Sequence, residues 1–279
     1  MMRSHQDSHR FQGHPGLEPM GEWAWVAIDV LAVLILVIGA LGYGAALWIS
    51  RERSPWPLAR SVFWFSGILS AAVALFGALA TAAHTSFTAH MIGHLLLGMA
   101  APLLMVLGAP VSLALRTLPV TAARVLSRVL RSPGARMITH PLMAGVLNAG
   151  GLWLLYATDL YQVMHLSPVA YAVIHLHIFL AGYVFTASMI DVDPNPHPAS
   201  MLVRSAVLVA FIAAHSILAK WLYANPPQGI GTSDARVGAQ VMYYGGDAVD
   251  ILLIVLLFAS WYSATRPRTA QTDGALQRS

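Results

Sequence analysis

The chain has 279 residues, of which 57% are hydrophobic and only 10% are charged, and its formal net charge is +4 at pH 7. A soluble domain carries about 25% charged residues, so this composition excludes a water-soluble globular protein. The absence of cysteine excludes disulfides, thiolate metal sites and cysteine nucleophiles. The positive residues cluster in a few short connections, which membrane topology explains better than nucleic-acid binding.

Seven apolar runs have about the 20 residues that a helix needs to cross the hydrocarbon core, and segments with Pro or Gly separate several of them. The sequence therefore predicts an all-α polytopic membrane protein, a bundle of seven transmembrane helices without a second domain. The first run lacks a cleavage site of small residues and is predicted to be a retained helix. The predicted spans are Ala24–Ile49, Ser61–Ala83, Ala89–Leu115, Ile138–Ala157, Val169–Ile190, Met201–Tyr223 and Gly238–Tyr262.

Residues 1–23 are predicted to be a disordered polar leader, 24–262 the transmembrane domain and 263–279 a disordered tail. Twelve arginines lie in the C-terminal tail and in the connections after the first, third and fifth spans, and only three arginines lie elsewhere. Because Arg and Lys accumulate on the cytoplasmic side, we expect the N-terminus outside and the C-terminus in the cytoplasm, in a bacterial inner membrane. Thr121–Leu130 places arginines on one helical face and either lies flat on the anionic inner leaflet or carries ordinary positive-inside charges.

Ionisable groups inside a membrane are costly and usually functional. His90 and His94 are four residues apart, which puts both on one face of the third span near its outer end. His175 lies about 9 Å and His215 about 12 Å below the outer surface at 1.5 Å per residue, and His84 caps the outer end of the second span. The sequence thus predicts a metal site in the outer leaflet, although a lone membrane histidine is also a common interhelical hydrogen-bonding residue.

Other residues near this leaflet are further candidates. His177 is two residues from His175 and points to another side of the helix, so only one of the two can face the site. Met91, Met164 and Met242 are candidate thioether ligands for Cu(I) or ordinary core residues. Asp29, Asp247 and Asp250 lie within apolar spans, where structural contacts with Lys220 or tyrosine hydroxyls are favoured over a proton or ion path. His140 and His197 are expected at the cytoplasmic surface.

An all-His or His/Met site without a carboxylate cluster suits copper or zinc better than Mg²⁺ or Ca²⁺. Two histidines on facing helices can also hold haem iron, which makes haem the alternative cofactor. Haem requires the two rings at equal depth across a wide groove, whereas His90 and His94 follow each other along one helix.

The segment Thr88–Leu97 with its His-x-x-x-His spacing, and the Ala101-Pro102-Leu-Leu motif that follows it, resemble the CtaG-type cytochrome c oxidase assembly family. Later blocks continue the resemblance in order from about residue 60 to 262. They are His175-Leu-His177-Ile-Phe-Leu-Ala-Gly182, Asp193-Pro194, Ala214-His215 and Met242 through Gly246-Asp247. The family often has another histidine four residues before His175, where this chain has Tyr171.

The resemblance implies a non-enzymatic assembly factor that helps to insert copper into a haem–copper oxidase, with His90, His94, His175 and His215 as the matching positions. Its expected partners are oxidase subunits, the lipid bilayer and a periplasmic copper donor. Three alternatives remain open from the residues: a haem-bearing electron carrier, a copper permease, and a scaffold for oxidase subunits with metal-free histidines.

Overall fold

A computed structural model describes residues 20–52 and 55–265 of the chain. This part of the protein is all-helical, as predicted. Its helices are α1 (Met20–Ser50), α2 (Leu58–Leu75), α3 (Gly77–Ala83), α4 (Phe87–Leu95), α5 (Ala101–Leu107), α6 (Pro110–Thr117), α7 (Val120–Leu130), α8 (Pro133–Ile138), α9 (Pro141–Ala157), α10 (Leu160–Leu166), α11 (Pro168–Met189), α12 (Met201–Ala224) and α13 (Thr232–Thr265).

Six segments of the described chain are long and apolar enough to cross a membrane: Trp23–Ser50, Leu58–Leu75, Phe87–Leu107, Pro168–Met189, Met201–Ala224 and Thr232–Thr265. The remaining predicted span, Ile138–Ala157, corresponds to α9, a shorter apolar helix that begins at Pro141. The first and last helices extend beyond the predicted domain limits, to Met20 and Thr265. The rest of the predicted leader and tail lies outside the described residues.

The second predicted span is broken into two helices. Phe76 is extended (φ −133°, ψ 159°) and Gly77 has a positive φ of 78°, which residues with a Cβ rarely adopt. The break ends α2 and starts α3 in a new direction, and α3 packs beside α4. This bend places His84, which follows α3, next to the helix that carries His90.

The third predicted span is also interrupted. A π turn over Leu96–Ala100 joins α4 to α5, and the Ser70 hydroxyl donates to the Leu96 carbonyl within it. The chain then breaks at Ala109, which is left-handed (φ 51°), and Asp193 accepts the Val111 and Ser112 amides at the start of α6. Such π turns inside helices often occur at functional sites.

The bundle has two distinct ends. One end gathers the start of α4, the short helix α10 and the start of α13, and we call it the histidine end because His84, His90 and His165 lie there. The opposite end carries α7 and α8 and is the arginine end, with Arg124, Arg128 and Arg131 around one groove. In the centre, α4 packs against α13, α13 against α12 and α9 against α11.

Candidate functional site

The start of α4 is fixed by a carboxylate from another helix. Asp234, at the start of α13, accepts hydrogen bonds from the Phe87 amide (2.6 Å), the Thr88 amide (3.1 Å) and the Ser86 hydroxyl (3.1 Å). It also accepts one from the Thr88 hydroxyl at 2.6 Å. A carboxylate at a helix N-terminus satisfies otherwise unpaired amides and complements the helix dipole. Asp234 therefore anchors the helix whose next two turns carry His90 and His94.

Five histidines line one narrow cavity at the histidine end. Its volume is about 20 Å³, which is room for about one water molecule or a metal ion. Met164 and Tyr171 also line it. The five histidines are His84, His90, His94, His165 and His175. The structure thus brings three of the four principal predicted ligands to one cavity.

Two of the cavity histidines have a defined tautomer. The Nδ1 atom of His165 lies 2.8 Å from the Tyr161 carbonyl oxygen, and Nδ1 of His175 lies 2.8 Å from the Tyr171 carbonyl oxygen. A carbonyl only accepts hydrogen bonds, so each Nδ1 carries the proton and each Nε2 keeps its lone pair. Histidines that bind metals are commonly held by this kind of contact. In both side chains Nε2 is therefore the acceptor nitrogen.

His90 is buried among tyrosines. Its Nε2 lies 3.0 Å from the Tyr156 hydroxyl oxygen, and that hydroxyl donates its one proton to the Met91 sulfur at 3.9 Å. The Tyr161 ring centre lies 5.1 Å from that of His90. Burial, together with the charge of Asp234, raises the pKa of Tyr161 to about 12. Tyr161 is therefore a neutral phenol at physiological pH, and no phenolate ligand adjoins this histidine from that side.

The deepest pair of histidines comes from α4 and α12. The ring centres of His94 and His215 lie 6.3 Å apart, and both side chains are buried. A ring nitrogen lies about 2 Å from a bound transition-metal ion, so two imidazoles that share an ion have ring centres no more than about 6.5 Å apart. Within the described residues, none of the four ring nitrogens of this pair has a hydrogen-bond partner. Buried polar groups are nearly always paired, so these four nitrogens make the pair a candidate ligand site.

Gly246 makes room for His215. A Cβ atom built on this glycine of α13 would overlap the imidazole Cε1 and Nδ1 of His215. We therefore expect Gly246→Ala to displace the His215 ring and to cost about 1 to 3 kcal/mol of stability from overpacking.

The check is thermal unfolding in detergent together with Cu(I) affinity. The matched control is Gly42→Ala, since a Cβ on Gly42 meets no atom within 4 Å. A Gly246→Ala protein with unchanged stability and affinity would contradict the assigned role of this glycine.

The other candidates lie apart from the cavity. His177 is exposed on the far side of α11, where its Nε2 lies 3.1 Å from the Leu147 carbonyl oxygen. Met242 is fully buried in the apolar cluster between α4, α12 and α13. Asp250 is buried one turn beyond Gly246, and neither of its oxygens has a partner among the described residues. Within the described chain, neither Lys220 nor a tyrosine hydroxyl is a hydrogen-bond partner of Asp250.

Of the remaining acidic residues, Asp29 lies at the edge of the site and Asp247 neighbours Asp250 on α13. Asp29 lines a cleft of about 380 Å³ together with Trp25, His84 and Tyr171. The ammonium of Lys220, which was expected to pair with an aspartate, lies 5.1 Å from the Tyr243 ring centre instead.

His165 is the site residue that the sequence analysis missed. It lies outside every predicted span, on α10, and reaches the cavity because this short helix folds back onto the start of α4. Its ring centre is 6.1 Å from that of His90 and 6.3 Å from that of His84. A search for histidines just outside the outer span ends would have found it. In the described ranges, no group of three or more His, Asp or Glu side chains could hold one metal ion together.

Comparison with known proteins agrees with the resemblance in the motifs. The chain is 30% identical over 259 aligned residues to an uncharacterized protein of Mycobacterium bovis, Mb0105, and 26% identical over 259 residues to ML1998 of Mycobacterium leprae. Each match covers 85% of this chain, but the chain spans only 39% of the length of these relatives. No solved structure is a significant match. The family model of the cytochrome c oxidase caa3 assembly factor, Caa3_CtaG, matches residues 41–264, and the chain therefore belongs to this family.

Proposed function

We propose that this protein holds a copper ion between α4 and α12 and delivers it to a haem–copper oxidase during assembly. The observation that carries the proposal is the His94–His215 pair, which is buried, has ring centres 6.3 Å apart and leaves its ring nitrogens unpartnered within the described chain. Unpaired nitrogens cost stability in a membrane interior. A bound cation would use the one lone pair of each neutral imidazole and offset part of that cost.

The donor set favours copper over harder cations. Neutral imidazoles suit copper and zinc, whereas Mg²⁺ and Ca²⁺ require oxygen ligands. Closed structural zinc sites have four ligands, and the described residues offer pairs. Two imidazoles are enough to hold Cu(I), and a site with so few ligands can release its ion. Easy release is what a delivery protein needs.

The geometry disfavours haem. A cavity of about 20 Å³ has room for about one water molecule, and a porphyrin would require the helices around it to separate. The 6.3 Å between the ring centres of His94 and His215 also suits two axial ligands on one iron, so the lack of space for a porphyrin is what carries the argument against haem. A visible spectrum of the purified protein separates the two cases, because a Soret band would move the protein to the class of haem carriers.

We further propose that the histidine end faces the outside of the inner membrane. The arginine end carries α7 and α8, whose arginines favour the cytoplasmic side. Because the chain has no cysteine, single cysteines can be placed at will. We expect Thr158→Cys, at the histidine end, to react with a membrane-impermeant maleimide in intact spheroplasts. Ser127→Cys, on α7, should react only after the membrane is permeabilised, and the reverse pattern would contradict this orientation.

The function is tested in a strain that lacks the protein. Complementation with the unaltered chain should restore the copper content and activity of the oxidase, while His94→Leu together with His215→Leu should not. Normal oxidase copper in the strain with the double variant would exclude copper delivery through this pair. Unchanged levels of the variant protein in the membrane are the required control.

A further inference from the structure

We infer that His84, His165 and His90 form an entry path along which copper reaches the buried His94–His215 pair. This inference rests on the proposed copper function and adds a route to it. Its central residue is His165, which lies outside the membrane-spanning helices on α10.

The first support is a gradient of exposure. His84 is exposed, His165 is half-buried, and His90 is buried with 7% of its surface accessible. All three line the same cavity. These three histidines therefore lie in order of decreasing exposure, from the surface of the histidine end to the interior of the bundle.

The second support is the spacing. Ring centres lie 6.3 Å apart between His84 and His165 and 6.1 Å apart between His165 and His90. Both distances fall within the limit of about 6.5 Å at which two imidazoles, each about 2 Å from the ion, can share it. From His90 the next histidine, His94, is one helical turn away, and His215 lies 6.3 Å beyond it. The two outer steps, from His84 to His165 and from His165 to His90, therefore need no large movement of helices.

The third support is the state of His165. Its Nδ1 proton is held by the Tyr161 carbonyl at 2.8 Å, so Nε2 is the free lone pair. This ring is also packed against Tyr161, with ring centres 4.7 Å apart. A histidine that neighbours both an outer and an inner histidine, with one nitrogen available, has the properties of an exchange residue.

The mouth of the path is acidic. The cleft of about 380 Å³ that contains Asp29 shares His84 and Tyr171 with the inner cavity. A carboxylate at the entrance raises the local concentration of cations. His84 is therefore the point where the wide cleft meets the narrow cavity.

Each step of the path is a ligand exchange. A bond from copper to the incoming imidazole nitrogen forms, and the bond to the outgoing imidazole breaks. Both imidazoles are neutral, copper keeps its oxidation state, and no electron or proton is needed.

The test is the rate of copper loading of the full-length protein in detergent, with Cu(I) supplied as its acetonitrile complex. We expect His165→Leu to load at least about 10-fold more slowly than the unaltered chain, with the same final stoichiometry and affinity. His177→Leu, outside the cavity, is the matched control and should load at the normal rate. Asp29→Asn keeps all ring contacts and should slow loading several-fold at low salt, but not at high salt.

The outcomes separate this inference from the proposed function. If the unaltered chain binds no copper, the proposed function fails. If it binds copper and His165→Leu loads at the normal rate, the entry path is wrong. If His165→Leu lowers the final stoichiometry, His165 is a resident ligand, which also overturns the entry path. The hydrogen bond of His165 Nδ1 is made within α10, to the Tyr161 carbonyl oxygen, so the loss of this bond should not unfold the protein. If His165→Leu does unfold the protein, Asp29→Asn provides the second test.

Discussion

Replacing either His94 or His215 with leucine is expected to lower the affinity for Cu(I) by at least about 100-fold while leaving the fold stable. Loss of an outer-shell contact to a metal ligand already costs about 10- to 100-fold in affinity, and loss of a ligand costs more. Stability should change by less than about 1.5 kcal/mol, because the change conserves volume and breaks no hydrogen bond of either ring within the described part of the chain.

The measurement combines competition with a colorimetric Cu(I) chelator and thermal unfolding in detergent. His177→Leu is the matched control. It also removes one imidazole, together with the contact between its Nε2 and the Leu147 carbonyl oxygen, and it should not alter copper affinity. A normal affinity in both His94→Leu and His215→Leu would show that copper is held elsewhere. A large loss of stability would show that these histidines are structural.

Replacing Asp234 with alanine is expected to destabilise the protein by about 2 to 3 kcal/mol and to weaken copper binding. The carboxylate accepts four hydrogen bonds at the start of α4, and its loss leaves the Phe87 and Thr88 amides unpaired. The first turn of α4 should then fray, and the positions of His90 and His94 should become less defined.

The control for this change lies at the arginine end. Asp193 accepts the Val111 amide at 3.1 Å and the Ser112 amide at 2.7 Å, so it anchors α6 in the same manner but away from the histidines. Asp193→Ala should reduce the unfolding temperature without changing copper affinity. Equal losses of copper affinity in both variants would mean that Asp234 acts only through overall stability.

Hydropathy predicts much of this fold because lipid demands long apolar helices. The predicted limits of α1, α11 and α12 lie within a few residues of those in the structure. The breaks were not predicted, because a count of apolar residues does not register backbone dihedrals. Gly77 at φ 78°, Ala109 at φ 51° and the π turn over Leu96–Ala100 all lie within runs that read as continuous spans.

The candidate site was partly predictable for a similar reason. Depth along a helix follows from residue number, so His94 and His215 were both expected in the outer leaflet, and the structure places their ring centres 6.3 Å apart. Rotation about the helix axis shows only that His175 and His177 cannot face the same site, and contacts with neighbouring helices were needed to tell which of them does. His165 was missed because its position depends on how α10 folds back onto the bundle, which no periodicity in the sequence encodes.

The copper ligands are tested most directly by X-ray absorption at the copper K-edge of the purified, Cu(I)-loaded protein. Imidazole binding predicts a first shell of nitrogen at about 2 Å with the outer scattering of imidazole rings and no sulfur, and His94→Leu together with His215→Leu should abolish this signal. A thioether sulfur shell at about 2.3 Å would assign the copper to methionines such as Met164 or Met242 and contradict the histidine site, as would the absence of bound copper in the unaltered chain.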